Sequence, residues 1–288
     1  DPLMFFTNRG RVFEKTCYEI PEAGRTARGT AIVNLLQLDG GEKITTMLPL
    51  PEGKAEGRFL VMATKNGVVK RTELTDFINI RKNGLIAINL RDEDDLIGVR
   101  MTDGSRELFV GTKQGMAIRF DETDVRSMGR QATGVKSIDL AMGDEVVDIA
   151  AIEEDAQVLS ITENGYGKRT EISEYRLQSR GGKGIKAMNL TDKTGLLAAQ
   201  FLVHEEEDLL LITDDGTVIR TPVSAISVQG RNTQGVRIMR VAEGFRVVSV
   251  ARVEAEEEEE ILAEEAAEIA ADENDVIELD GGEAPEEE

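Results

Sequence analysis

The sequence contains few of the residue types from which most catalytic and metal centres are built. Its 288 residues include one cysteine, Cys17, one histidine, His204, and no tryptophan. A single cysteine cannot form an intrachain disulfide, which is typical of proteins of a reducing compartment. A zinc site or a Cys–His nucleophilic pair would lack its further ligands and bases. The sequence therefore predicts no catalytic centre, no metal and no cofactor in this segment.

Long hydrophobic runs are also missing. None approaches the roughly 20 residues that a membrane span requires. The first residues, DPLMFFTNRG, lack the basic and apolar regions of a signal peptide. We therefore expect a soluble, cytoplasmic protein with no membrane partner. Because the chain begins without Met, on residues that already read as a strand, we also expect a fragment of a longer polypeptide.

Acidic residues are concentrated at one end of the chain. Residues 254–288 contain 18 Asp and Glu and no Lys or Arg, whereas the whole chain has a formal charge of −21. The preceding 253 residues carry 34 basic and 37 acidic side chains and are nearly neutral. This charge density predicts a disordered acidic tail over 254–288. Such a tail could compete with a polyanion for the body of the protein.

The body is built from one unit repeated five times, starting near residues 1, 58, 107, 156 and 207. Each unit has an apolar run, a polar pair, a glycine and a second apolar run, as in MATKNGVVKRTEL and SITENGYGKRTEI. A glycine between alternating runs predicts a β-hairpin, since glycine adopts the positive φ that such turns need. The glycines are spaced by 48 to 57 residues, at Gly10, Gly67, Gly115, Gly165 and Gly216.

A second recurring motif, which we call the second landmark, follows each hairpin and ends in another glycine. It reads GRTARG (24–29), IRKNG (80–84), GRQATG (129–134), SRGGKG (179–184) and GRNTQG (230–235), and two further apolar runs follow it. Units of about 50 residues with four strands predict an all-β, propeller-like fold over residues 1–253. Independent β modules are the alternative, but a unit this small buries too little core by itself.

Basic residues recur at fixed positions of the repeat. One set lies four residues after the hairpin glycine: Arg71, Arg119, Arg169 and Arg220. A second set lies in and after the second landmark: Arg25, Arg28, Arg81, Lys82, Arg130, Lys136, Arg180, Lys183, Lys186, Arg231 and Arg237. Any one of them is explained by a surface salt bridge of little energy. The recurrence of the second set predicts a basic belt, which suits a long polyanion such as double-stranded DNA.

The stretch YRLQSRGGKGIK (175–186) resembles the glycine-rich basic box of the DNA gyrase A family, and IPEAGRTARGTAIVNLL, NGYGKRTEISEY and SVQGRNTQGV are similar to other parts of its C-terminal domain. The resemblance covers residues 1–253. It implies a β-pinwheel whose blades exchange a strand and whose perimeter wraps DNA during ATP-dependent negative supercoiling. It implies that ATP, Mg²⁺, the remainder of gyrase A and the whole of gyrase B belong to an A2B2 holoenzyme outside this segment. The box maps to Gln178, Ser179, Arg180, Gly181, Gly182, Lys183 and Gly184.

Two departures from the family pattern bear on this interpretation. The family's box usually lies in the first blade and has an arginine where Ser179 stands, whereas here it lies in the fourth repeat. We therefore expect a further blade upstream of this segment. The corresponding C-terminal domain of topoisomerase IV is an alternative, with similar but degenerate blades. A propeller that scaffolds other proteins is an alternative of another class.

Overall fold

The computed structural model describes residues 2–22, 29–50 and 55–255. Over these residues the chain forms antiparallel strands, turns and short 3-10 helices, and no α-helix. The strands are β1 (Pro2–Thr7), β2 (Arg11–Thr16), β3 (Ile44–Pro49), β4 (Phe59–Thr64), β5 (Val68–Glu73), β6 (Leu85–Ile86), β7 (Leu96–Thr102), β8 (Glu107–Thr112), β9 (Met116–Asp121), β10 (Val135–Lys136), β11 (Val146–Ala151), β12 (Gln157–Thr162), β13 (Tyr166–Glu171), β14 (Ile185–Lys186), β15 (Leu197–Val203), β16 (Asp208–Thr213), β17 (Val218–Pro222), β18 (Val236–Arg237) and β19 (Val247–Val253). The 3-10 helices are Cys17–Glu19, Ile32–Asn34, Leu74–Phe77, Glu122–Asp124, Ile172–Glu174 and Val223–Ala225.

The strands form five separate sheets, which are the blades of a propeller-like arrangement. Four sheets have the orders β3-β1-β2-β6, β7-β4-β5-β10, β11-β8-β9-β14 and β15-β12-β13-β18. The fifth has three strands among the described residues, in the order β19-β16-β17. This architecture confirms the predicted all-β fold with blades of four strands, and the fifth sheet departs from it by one strand.

Each four-stranded blade takes its outermost strand from the following repeat. In the third sheet, Ile185 and Lys186 of the fourth repeat pair with Ala117 and Met116 of the third. The same exchange joins the first repeat to the second, the second to the third and the fourth to the fifth. Strand exchange of this kind is what the resemblance to a β-pinwheel implied.

The last long strand of each repeat, which we call the return strand, lies at the inner side of the arrangement. β3, β7, β11, β15 and β19 contact one another in succession, so that each blade runs outward from its return strand through its hairpin to the exchanged strand. The second landmark immediately precedes the exchanged strand in the second to fifth repeats. The landmark loops of these repeats therefore lie on the outer edge of the blades.

The hairpin turns form as predicted. Gly115 and Gly165 have φ values of +82° and +77°, and the other three hairpin glycines are also positive. The threonine that ends the first strand of the hairpin supports the turn, since the Thr162 hydroxyl accepts a hydrogen bond of 3.1 Å from the Tyr166 amide. Hairpin position and register thus follow directly from local sequence.

The hydrophobic core lies between repeats. One cluster joins Phe6 of the first repeat to Leu60 and Phe77 of the second. Another packs Phe109 of the third repeat edge-on against the buried Tyr175 of the fourth, with ring centroids 5.0 Å apart. Because these buried side chains need a neighbouring repeat, the blades stabilise one another and would not be stable alone.

Parts of the predicted organisation lie outside the described residues. This applies to residues 256–288, which form nearly all of the predicted acidic tail. The described helices are single 3-10 turns of three or four residues, too short to serve as membrane spans.

Candidate nucleic-acid interface

Four landmark loops form one continuous row along the outer edge. We call residues 80–91, 129–141, 178–191 and 230–241 the loop row. Backbone hydrogen bonds join each loop to the next: Asn89 N–H donates to Ala132 O (3.3 Å), Asp139 N–H to Gly182 O (2.8 Å) and Asn189 N–H to Thr233 O (3.0 Å). A ligand that follows the outer edge would meet the four loops in succession.

The structure places the predicted binding residues on this row. Arg81, Lys82, Lys136, Gly182, Lys183, Lys186 and Arg237 are exposed, whereas Arg130, Gln178, Arg180, Gly181, Gly184 and Arg231 are less exposed. Arg25 and Arg28 lie outside the described residues. That these side chains bind DNA stays a prediction, but those described share one edge of the fold.

Two of the row arginines also hold the loops together. Arg180 donates from Nε to Asp124 O (2.9 Å) and from Nη1 to Lys136 O (3.0 Å). Arg231 donates from Nη1 to Lys186 O at 2.9 Å. Each therefore binds backbone carbonyls of the preceding repeat as well as adding positive charge. Replacing either would disturb the loops, so the exposed lysines are better probes of ligand binding.

Two of the arginines that lie four residues after the hairpin glycine, Arg119 and Arg169, do not extend this exposed surface. The Arg169 side chain is 5% exposed and donates to Ile226 O at 2.7 Å and to Gln157 Oε1 at 2.9 Å. Arg119 donates to Tyr175 O at 3.0 Å. Since the 3-10 turn of the next repeat presents its carbonyls to this position, these two arginines join neighbouring blades. Arg119 and Arg169 thus lie apart from the expected belt, which the second set forms.

The glycine-rich loop differs from its neighbours at one backbone donor, the N–H group of Gly182. In the third and fifth repeats the N–H groups of Ala132 and Thr233 close the turn onto a glycine carbonyl three residues earlier. The N–H groups of Gly182 and Lys183 donate to no acceptor among the described residues. Gly181, with φ of +79°, makes this conformation possible. Two free N–H groups beside a lysine are well suited to bind an anionic oxygen.

Carboxylates lie among the cations of the row and limit its charge. Lys136 Nζ lies 2.8 Å from Asp139, and this hydrogen bond lowers the pKa of the Asp139 carboxyl. Other cations of the row make no ion pair with any described carboxylate: Arg81, Lys82, Lys183, Lys186, Arg237 and Arg240. These unpaired side chains remain available to a ligand.

Two buried lysines anchor the loop row from beneath. Lys168 Nζ donates to Gly230 O (2.7 Å) and Arg231 O (2.6 Å), and Lys70 Nζ donates to Ala87 O (2.6 Å) and to Arg130 O. Burial lowers the pKa of each amine to about 8. Sequence reasoning missed them, although the Lys-Arg-Thr-Glu tetrapeptide that contains each one recurs in the second and fourth repeats.

Replacing Lys168 by methionine should lower the free energy of unfolding by about 1–3 kcal/mol at neutral pH, because two buried carbonyls lose their donor. The lysine also has a defined pH dependence. Between its folded pKa of about 8 and the ordinary value of 10.5, the unfolded chain binds more protons than the folded chain. This residue therefore makes stability rise with pH in that window.

Urea denaturation at about pH 7 and about pH 9.5 measures this effect. The stability difference between wild type and Lys168→Met should widen at the higher pH. Lys183→Met, at an exposed position, should stay close to wild type at both. A difference that narrows with pH would contradict the assignment of a depressed lysine pKa.

No cluster in the described part of the chain resembles a metal site. No group of three or more His, Cys, Asp or Glu side chains is arranged there to hold a metal ion. The chemistry that the loop row offers is noncovalent binding of anionic oxygens.

Comparison with known proteins gives a consistent family. The family model described as DNA gyrase C-terminal domain, beta-propeller, matches residues 1–51, 58–103, 106–153, 156–200 and 207–254. The DNA gyrase A protein of Staphylococcus epidermidis is 46% identical over 260 residues, which cover 90% of this chain and 29% of that protein. Its counterpart in Staphylococcus aureus is 45% identical over 267 residues, 92% of this chain and 30% of the relative. The chain thus spans about 30% of the length of these relatives.

Solved structures of two related domains are similar. The C-terminal domain of DNA topoisomerase IV aligns with a TM-score of 0.81 and 29% identity, over 93% of this chain and 84% of the other. A DNA gyrase A C-terminal domain aligns with a TM-score of 0.76 and 28% identity, over 88% of this chain and 82% of the other.

Proposed function

Because the chain belongs to the family of DNA gyrase C-terminal domains with a beta-propeller fold, we propose that it binds double-stranded DNA along the loop row and bends it around the outer edge of the blades. The observation that carries this proposal is the continuity of the row: four consecutive loops, joined by backbone hydrogen bonds, place unpaired cations along one edge. Bending DNA costs several kcal/mol, so binding groups spread along an arc serve it better than one strong site.

Binding of this kind reads the backbone and not the bases. Lysines and arginines neutralise phosphates, while the free N–H groups of Gly182 and Lys183 donate to phosphate oxygens. The row consists of turns on the rim of the blades, and no described loop carries a long helix or ribbon that would enter a groove. The proposed interaction is therefore independent of sequence.

Within the larger protein, we place this segment at the C-terminal part of DNA gyrase A. The wrapped DNA would be presented to a strand-passage gate formed elsewhere, with gyrase B in an A2B2 assembly. ATP and Mg²⁺ would bind outside this segment, and the assembly would act in the cytoplasm. Supporting this placement are the 45–46% identity to gyrase A proteins and the family model for their C-terminal domain.

Topoisomerase IV is the second candidate, favoured by the TM-score of 0.81 to its C-terminal domain. The glycine-rich box at residues 178–184 argues for gyrase. Reconstitution of the full-length protein with its ATPase partner separates the two, because gyrase introduces negative supercoils into relaxed plasmid and topoisomerase IV only relaxes and decatenates.

Duplex binding should weaken steeply with salt. If the unpaired cations Arg81, Lys82, Lys183, Lys186 and Arg237 each neutralise one phosphate, log K should fall against log [salt] with a slope of about −4.5. Fluorescence anisotropy with labelled duplexes of unrelated sequence measures the slope and should give the same value for each. A flat response, or strong preference for one sequence, would favour the scaffold alternative.

A further inference from the structure

A basic cleft lies where the fourth blade meets the loop of the fifth repeat. It has a volume of about 400 Å³, and Tyr166 and Lys193 of the fourth repeat line it together with Arg237 and Arg240 of the fifth. Among the described residues that line it, Glu243 is the only carboxylate, so they contribute three cations and one anion. None of the three cations makes an ion pair with a described carboxylate.

Tyr166 holds two of these cations. Arg237 Nη2 donates to the Tyr166 hydroxyl at 2.9 Å, and the guanidinium lies 5.5 Å from the ring centroid. Lys193 Nζ lies 5.4 Å from the same centroid. A cation on an aromatic face keeps its charge and loses conformational freedom before a ligand arrives. The hydrogen bond from Arg237, with the neighbouring charges, also lowers the pKa of Tyr166.

An aromatic residue at the Tyr166 position together with an arginine at the Arg240 position occurs at one junction between repeats only. The positions equivalent to Tyr166 are occupied by Arg11, Val68, Met116 and Thr217, and those equivalent to Arg240 by Asn34, Asn89, Asp139 and Asn189. In the third sheet the pair corresponding to Tyr166 and Arg237 is Met116 and Lys186. An aromatic residue on the outer rim with three cations around it is thus a feature of this junction and not of the fold.

We propose that this cleft binds a phosphate group of the DNA backbone, with Lys193 and Arg240 as its ligands and Tyr166 positioning Arg237 as a third. The inference rests on the proposed DNA binding and deepens it by assigning a defined phosphate site. The cleft adjoins the last loop of the row, so it clamps the duplex at the fifth blade. Elsewhere in the row the exposed lysines act as point charges, whereas this site presents a preorganised guanidinium.

The test compares variants of matched charge in the anisotropy assay. Lys193→Gln with Arg240→Gln removes two cations that make no ion pair in the described structure, and should reduce the magnitude of the salt slope by up to about 0.9, since one phosphate loses two of its three ligands. Lys43→Gln with Arg106→Gln removes the same charge away from the loop row and should leave the slope unchanged. Tyr166→Phe keeps the ring but releases Arg237, and should weaken binding several-fold while the slope is retained.

The outcomes separate this inference from the proposed function. If wild type shows no salt-dependent binding, the DNA-binding proposal fails and this one with it. If wild type binds and both double variants have equal slopes, only the cleft assignment is overturned. A further experiment titrates inorganic phosphate against wild type and follows it by NMR. If phosphate binds saturably in the cleft while Lys193→Gln with Arg240→Gln leaves the salt slope of DNA binding unchanged, the cleft is a site for free anions and the DNA assignment is overturned.

Discussion

Replacing Gly184 by alanine should destabilise the protein by about 3 kcal/mol or more. Gly184 has φ of +71°, a conformation that side-chain-bearing residues rarely adopt, and a Cβ atom there would overlap the carbonyl oxygen of Ala117 on the neighbouring strand. The overlap is with backbone, so no rotamer change relieves it. The equivalent glycine of the third repeat, Gly134, is similarly placed, since its Cβ would lie 2.6 Å from Val69 O.

Gly182→Ala provides the matched control two residues away. Gly182 is exposed and lacks a positive φ, and its Cβ would meet nothing closer than 3.8 Å. Thermal and urea unfolding should therefore place Gly182→Ala near wild type and Gly184→Ala far below it. Similar stabilities for the two variants would show that the last landmark glycine is not a packing requirement.

Removing three exposed lysines from the loop row should have the largest effect on DNA binding. Lys82, Lys183 and Lys186 are exposed and make no ion pair with a described carboxylate. The triple change to glutamine should reduce the magnitude of the salt slope by about 2.7, at about 0.9 for each phosphate that is no longer neutralised. Affinity should fall most at low salt, where counterion release contributes most. The anisotropy titration measures both quantities.

A triple variant away from the row controls for net charge. Lys43, Lys65 and Arg106 lie in turns next to strands and outside the loop row, and Lys65 lies 3.2 Å from Glu145 of the next repeat. Their replacement by glutamine removes the same charge and should change the slope little. Equal losses from both triple variants would mean that overall charge, and not the loop row, governs binding.

Much of the fold was predictable because its signals are local. A glycine between two alternating apolar runs fixes a hairpin, whatever surrounds it, and all five hairpin glycines have positive φ. Repetition at about 50 residues then predicts a stacked, propeller-like array. That the basic residues of the second landmark share one surface was likewise predictable, because equivalent positions of a repeat fall on equivalent surfaces.

The roles of particular side chains were less predictable. Sequence reasoning did not single out Lys70 and Lys168, yet both are fully buried. The arginines after the hairpin glycine belong to the same repeat pattern as the loop-row cations, yet Arg169 is buried and joins two blades. Identical residue types at equally regular spacing thus have different roles, and the partner that decides the role lies in the next repeat, 57 to 63 residues away in the chain.

The sequence by itself determined the repeat, the hairpins, the all-β class and the repeat positions at which the cations recur, since each depends on backbone preferences and spacing within a single unit. Only the tertiary structure decided which repeat supplies each outermost strand, which cations are buried against carbonyls and which are free, and that Tyr166, Lys193 and Arg240 meet in one cleft. These properties depend on packing between repeats. A pattern within one repeat specifies which face a side chain occupies, but the neighbouring blade determines what that side chain meets there.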